Sequence, residues 1–199
     1  MPAVPVAPEG GGAVDLRARL IEATAEVIAE DGPLAVRVDE VARRAGCSRA
    51  TVYRHVADKD ELVREVLVGR SAEIAERLEA ELDESADPAD WVVEGLLRHA
   101  DAVRAEPCYR ALERQGAAAA VARLGGGPDA VVGLAAPLVG RFLDRIAARG
   151  ALRRDITVEQ ATEWLIGVHL SLLGPVFADQ PRAHRADMLR TFVAYSLLN

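Results

Sequence analysis

VDEVARRAGCSRATVYRHV, residues 38–56, reads as two short helices joined by a tight turn. Val38, Val41, Ala42 and Ala45 recur at helical spacing and give the first helix one apolar face. Gly46 follows them, where a left-handed residue closes a helix without steric cost. Cys47 is an apolar plug in the turn, and Ser48 caps the second helix by accepting a free N–H of its first turn. Val52 and Val56 lie one turn apart and form the inner face of that helix. Arg49, Ala50, Thr51, Tyr53, Arg54 and His55 are left facing outward.

Those outward residues suit DNA. A helix in the major groove needs donors for base edges and phosphates, and small residues such as Ala50 that permit close approach. Ser48 and Thr51 bring hydroxyls, Arg49 and Arg54 bring guanidinium forks, and Tyr53 and His55 reach phosphate oxygens. Between Arg43 and Val56 stand four Arg and no Asp or Glu, a local reversal in a chain of net charge −7. The competing interpretation is a solvated basic helix in a small helical subdomain. The turn and the hydroxyl-bearing basic helix together favour DNA binding.

DEVARRAGCSRATVYRHVADKDELV resembles the signature of the TetR-type transcriptional regulators, and LRARLIEATAEVIAEDG resembles that family's first helix. The resemblance runs closely from Leu16 to Val63; beyond it only the helix layout is alike. It implies base contacts from Arg49 and Thr51, and phosphate contacts from Ser48, Tyr53, His55 and Lys59. Lys59 is the only lysine of the chain and falls where the family places one. The family commonly has Ser or Thr ahead of the second helix. Here Val36-Arg37 stands there, so that cap is missing and Arg37 supplies the phosphate contact through charge. A further phosphate contact from Arg17 or Arg19 is implied.

The composition is half hydrophobic but only 4% aromatic, so Leu, Val, Ile and Ala must build the core. With no β-branched alternating runs, the expected fold is all-α. The resemblance implies that it comprises an N-terminal three-helix helix-turn-helix DNA-binding domain and a C-terminal helical ligand-binding and dimerisation domain. Cys47 and Cys108 make neither a disulfide framework nor a CxxC metal pattern. No signal-peptide pattern and no bilayer-length apolar run occur, so a cytoplasmic protein without a membrane partner is expected. No metal or cofactor is expected.

Residues 1–13, rich in Pro and Gly and lacking Lys and Arg, are expected to be a disordered tail. Residues 14–60 form the DNA-binding domain and 61–199 the effector-binding and dimerisation domain. Asp15 caps a first helix ending at Asp31-Gly32-Pro33. Asp58 and Glu61 suggest a capping box for a long fourth helix to about Ser85. Asp87-Pro88 opens the next helix, and Pro107 ends it. Cys108 to Leu124 holds one or two short helices. Gly125-Gly126-Gly127-Pro128 is a break, not a phosphate loop. Pro128 to Arg149 is a helix kinked at Pro137, with Gly150 as its C-cap. Thr157 and Gln160 box a helix to Leu173 that is apolar nearly all round, so it must be covered on both sides. Gly174-Pro175 precedes a last amphipathic helix, Arg182 to Leu198. In the family the last two helices pair across a two-fold axis, implying a homodimer on a palindromic operator in double-stranded DNA.

The resemblance places a small-molecule effector in the C-terminal region. Trp91, His99, Val103, Cys108, Tyr109, Phe142, Trp164 and His169 are the candidate ligand contacts, though each is equally at home as plain core. The mostly apolar inward positions favour an apolar or aromatic effector. The function expected is a repressor released from its operator by such a ligand. The alternative is a helix-turn-helix dimer whose C-terminal domain binds a protein or only dimerises. The four His are dispersed and no HExxH, GxSxG or paired-carboxylate motif accompanies them, which argues against an enzyme.

Overall fold

In the computed structural model, residues 11–81, 87–114 and 127–199 are described. Helix α1 (Gly11–Asp31) starts ahead of the expected cap, and Asp15 lies within it, paired with Arg19 at 3.5 Å. Positions 1–10 of the expected tail lie outside the described residues. Gly32, at φ 88°, and a 3₁₀ turn (Pro33–Ala35) end the first segment. Helix α2 (Val38–Ala45) follows Arg37, which gives no side-chain cap, as its sequence implies.

Gly46 adopts φ 68°. There the Cys47 N–H reaches Ala42 O at 2.9 Å and the Gly46 N–H reaches Arg43 O at 3.3 Å. Two orphan carbonyls of α2 are thereby satisfied by the left-handed closure. In helix α3 (Arg49–His55), the Thr51 N–H donates to Ser48 Oγ at 3.1 Å. Helix α4 (Lys59–Glu79) begins with the Glu61 N–H on Asp58 Oδ1 at 2.7 Å. The Glu61 carboxylate accepts from Ala57 N at 2.6 Å, one residue earlier than a full capping box requires.

The Asp87 carboxylate caps α5 (Pro88–Ala105). Pro107 opens α6 (Pro107–Arg114) as well as closing α5. The remainder of the expected Cys108–Leu124 segment, from residue 115, lies outside the described residues, as do Gly125 and Gly126. Helix α7 (Gly127–Ala148) continues through Pro137. Gly150 closes it at φ 67°, with the Ala151 N–H on Ile146 O. The Thr157–Gln160 capping box of α8 (Val158–Leu173) has both bonds, at 3.2 and 3.0 Å. After α9 (Pro175–Ala178), the predicted last helix is α10 (Arg182–Leu189), a π-helical turn (Arg190–Ala194) and α11 (Tyr195–Leu197). Among the described residues no strand occurs; an isolated bridge joins Leu152 to Leu198.

Two cores result. Leu20, Ile28, Val41, Val52, Leu62 and Val63 are fully buried where α1 to α4 meet. Cys108 and Leu112 of α6 enter the same core, so the head is packed partly from beyond residue 60. The second core centres on Trp91, Leu97, Leu143, Ile146, Leu165 and Leu197. No helix among the described residues is long and apolar enough to cross a membrane.

Candidate DNA-reading surface and internal cavity

Burial of Val52 and Val56 against the first core turns the opposite side of α3 to solvent. Ser48, Arg49, Ala50, Tyr53 and Arg54 are exposed there, with Thr51 and His55 half-buried at the margin. The guanidinium of Arg49 lies 5.6 Å from the centre of the Tyr53 ring and 3.3 Å from the Asp39 carboxylate. Arg54 Nη2 donates to Thr51 Oγ1 at 3.3 Å. Arg37 is exposed at the start of α2, and Lys59 is half-buried at the start of α4, 3.6 Å from Asp60. Seven of the nine predicted DNA-contact positions thus lie on α3 or at its cap, and Arg37 and Lys59 stand at the starts of α2 and α4.

The basic face is narrower than the sequence suggests. Arg43 and Arg44 both bond Glu40, and Arg44 also bonds Glu30 at 2.7 Å. The two guanidinium groups, Arg43 first, hold the Glu40 carboxyl down at about 2. Two of the four arginines of the run are therefore paired within the head itself, Arg43 at its surface and Arg44 more deeply. Arg17 is likewise committed internally: it donates to His55 O at 2.6 Å and to the Glu65 carboxylate. It braces the end of α3 against α4 instead of standing free for phosphate. Asp39, the partner of Arg49, had no distinguishing mark in the sequence, because only the crossing of α2 and α3 brings the two together.

In the C-terminal half, α4, α5, α7 and α8 surround a cavity of about 130 Å³. Its walls are mainly aliphatic, and Phe142 closes one side. His99, Tyr109, Phe142 and His169 border it, as expected. Four expected ligand residues do not. Trp91 stands behind Phe142, their rings stacked with centroids 4.6 Å apart. Val103 is buried core. Cys108 faces the head, its thiol donating to Ala25 O at 3.5 Å. Burial pushes that thiol up to about 12, so it is inert as a thiolate. Trp164 points outward and is 52% exposed. Their shared error is one of rotation: helical spacing marks an inward face, but not which of two enclosed volumes it meets.

The polar wall of the cavity was only partly foreseen. His99 Nε2 lies 2.9 Å from Ser71 O, and His99 Nδ1 lies 3.2 Å from His169 Nε2. Desolvation lowers the pKa of both imidazoles, and the neighbouring His99 adds to the effect on His169, whose pKa falls to about 3. The Tyr109 hydroxyl donates to Leu67 O at 3.1 Å, and burial raises its titration. Ser71 and Glu79 were not anticipated. Ser71 is buried on the inward side of α4.

The comparisons with known proteins agree with this geometry. Residues 20–66 match the model of the bacterial regulatory proteins of the tetR family. An uncharacterized HTH-type transcriptional regulator of Mycobacterium tuberculosis is 24% identical over 88% of this chain and 82% of its own length. An HTH-type transcriptional repressor of the same species is 31% identical over 44% of each chain. In fold, the chain is similar to the R. erythropolis transcriptional repressor QsdR, from the TetR family. That likeness has a TM-score of 0.71 at 19% identity and covers 92% of this chain and 96% of the other. It is also similar to RolR in complex with resorcinol, with a TM-score of 0.68 at 17% identity, covering 93% and 88%.

Proposed function

Because the chain belongs to the TetR family of DNA-binding transcriptional regulators and not to an enzyme class, we propose that it is a cytoplasmic repressor. It acts as a homodimer on a palindromic operator and is released by a small, mostly apolar ligand. The observation that carries this reading is the exposed face of α3. Arg49 and Thr51 read base edges there, Ser48, Tyr53, His55 and Lys59 hold phosphates, and Arg37 and Arg54 add charge. Ala50 lets the helix backbone approach the groove floor. Residues 14–60 carry the reading function and 61–199 the control of it.

Two features support the remainder. Trp164 (52% exposed), Phe192 (59%) and Tyr195 (68%) are large apolar groups left in solvent on α8 and beyond α10, an arrangement a second copy would cover. The Cys108–Tyr109 pair on α6 spans the two halves, since Cys108 bonds α1 while Tyr109 lines the cavity and bonds α4. A ligand that displaces Tyr109 therefore moves a helix anchored in the head core. Such a ligand shifts the DNA-binding equilibrium only by its difference in affinity for the two conformations. Resorcinol, the ligand of the similar RolR structure, is a small ring compound of the size this cavity admits.

A binding titration with the DNA flanking the protein's own gene, at two salt concentrations, tests the reading. Tight, salt-sensitive binding is expected. Tyr53→Ala should weaken binding to all sequences, while Arg49→Ala should also blur sequence preference, by about 1–3 kcal/mol. Equal loss on operator and random DNA for both variants would sink the contact assignment. Absence of binding to any genomic fragment would sink the repressor itself.

A further inference from the structure

The cavity has a chemical polarity along α4. Ser71 and Glu79 both border it, about 12 Å apart along the helix at about 1.5 Å per residue. His99, His169 and Tyr109 gather at the Ser71 end. At the other end Glu79 is held by Arg145 at 3.2 Å. Among the described lining residues Glu79 is the one charged group, so the histidine end offers no cation to a ligand.

Hydrogen-bond accounting fixes both imidazoles. His99 Nε2 lies 2.9 Å from Ser71 O and 3.3 Å from Ser71 Oγ; the nearer partner is a carbonyl oxygen, which only accepts, so His99 Nε2 carries its proton toward it. In a neutral ring the other nitrogen is then an acceptor. His169 Nε2 must donate to His99 Nδ1, which leaves His169 Nδ1 as an acceptor. Among the described residues that atom has no hydrogen-bond partner, and its ring borders the cavity. Burial keeps both rings neutral. The Tyr109 hydroxyl is already spent on Leu67 O. An apolar cavity of about 150 Å³ in another protein accepts benzene, so about 130 Å³ here suits a single ring.

We infer that the cavity takes an uncharged, single-ring hydroxy compound, a simple phenol in class, with its hydroxyl donating to His169 Nδ1 and its ring against Leu138, Phe142 and Leu165. The inference rests on the reading of this cavity as the effector site. A hydrocarbon ring of the same shape leaves the acceptor unsatisfied. A carboxylate is excluded more strongly, because it must shed its hydration shell in a site that offers no compensating cation.

Calorimetric titration of the full chain with phenol, toluene and benzoate tests this. Phenol is expected to bind about tenfold tighter than toluene, with benzoate the weakest. The nitrogen resonance of His169 Nδ1 should move with phenol and stay with toluene. His169→Phe should abolish the preference for phenol; the wild-type series and the resonance decide the matter whether or not that variant folds. Toluene binding as tightly as phenol, or benzoate binding tightest, overturns the hydroxyl-acceptor assignment while the cavity remains a ligand site. Failure of all three ligands overturns it together with the effector reading. Phenol binding in the expected order without release of DNA upholds the ligand class and refutes the release mechanism.

Discussion

Leu62 and Leu138 are both inward-facing leucines on long helices, yet their surroundings differ. Leu62 is fully buried where α1, α2 and α4 converge, and its neighbours Val41, Val52 and Val63 are sealed as well. Leu138 is half-buried and borders the cavity. The head is closed by complementary side chains, by glycine closures after α1 and after α2, and by ion pairs that absorb two of its arginines. The C-terminal half leaves a volume open and lines one end of it with neutral polar groups. A body of the first kind carries a reading helix rigidly, and one of the second kind gains stability when something fills it.

The largest test of this contrast is a pair of truncations. Leu62→Ala should cost about 3–4 kcal/mol, because the removed atoms leave a new void among well-packed neighbours. Leu138→Ala should cost nearer 1 kcal/mol, since it enlarges a space that already exists. Urea unfolding of both variants measures the difference. Equal losses would mean that the cavity wall is packed as tightly as the head.

A second test uses acid. His169 is half-buried and held neutral by desolvation, with its folded-state titration lowered from 6.5 to about 3. The folded form therefore resists protonation that the unfolded chain accepts, so stability is complete above the unfolded value and falls as the pH drops through it. At pH 5 the unfolded chain gains up to about 2 kcal/mol relative to neutral pH from this one group. His99 shifts in the same direction and adds to the loss. The groups facing the pair are neutral apart from the distant Glu79–Arg145 bridge, so nothing nearby reverses the sign. Urea unfolding at the two pH values checks this, and His169→Phe should flatten the dependence. An unchanged slope would place the loss elsewhere.

Local chemistry explains why the reading head was legible in the sequence and the cavity was not. Val38-to-Val56 contains its own boundary signals: Gly46 has one backbone role, Ser48 has an N–H to accept, and Val52 leaves one orientation for α3. The cavity is made by four helices meeting, and its contents depend on their rotations. Trp164 and Val168 share the spacing of Leu165, yet Trp164 faces solvent. His99 and His169 are seventy residues apart and meet only because α5 and α8 cross. The arginine run misled in another way: counting charge along the chain ignored Glu26, Glu30 and Glu40, which reach Arg43 and Arg44 from α1 and α2.

The smallest effect sharpens the comparison most cleanly, because it holds the local chemistry constant. Ser48 and Thr157 are both hydroxyl N-caps that accept the N–H three residues on, at 3.1 and 3.2 Å. Replacing either by Ala should cost about 1 kcal/mol of stability. Their effects on DNA should differ. Ser48 stands on the exposed rim of α3, so under the proposed contacts Ser48→Ala removes a phosphate donor, and it frees the first turn of α3. Thr157 lies at the start of α8, in the other half. Ser48→Ala should therefore weaken operator binding several-fold, while Thr157→Ala leaves it unchanged at a temperature where both variants are folded. Fluorescence titration of the two against the same duplex makes the measurement. Matching losses in affinity would show that the caps act through global stability, and that the head does not read DNA as an independent body.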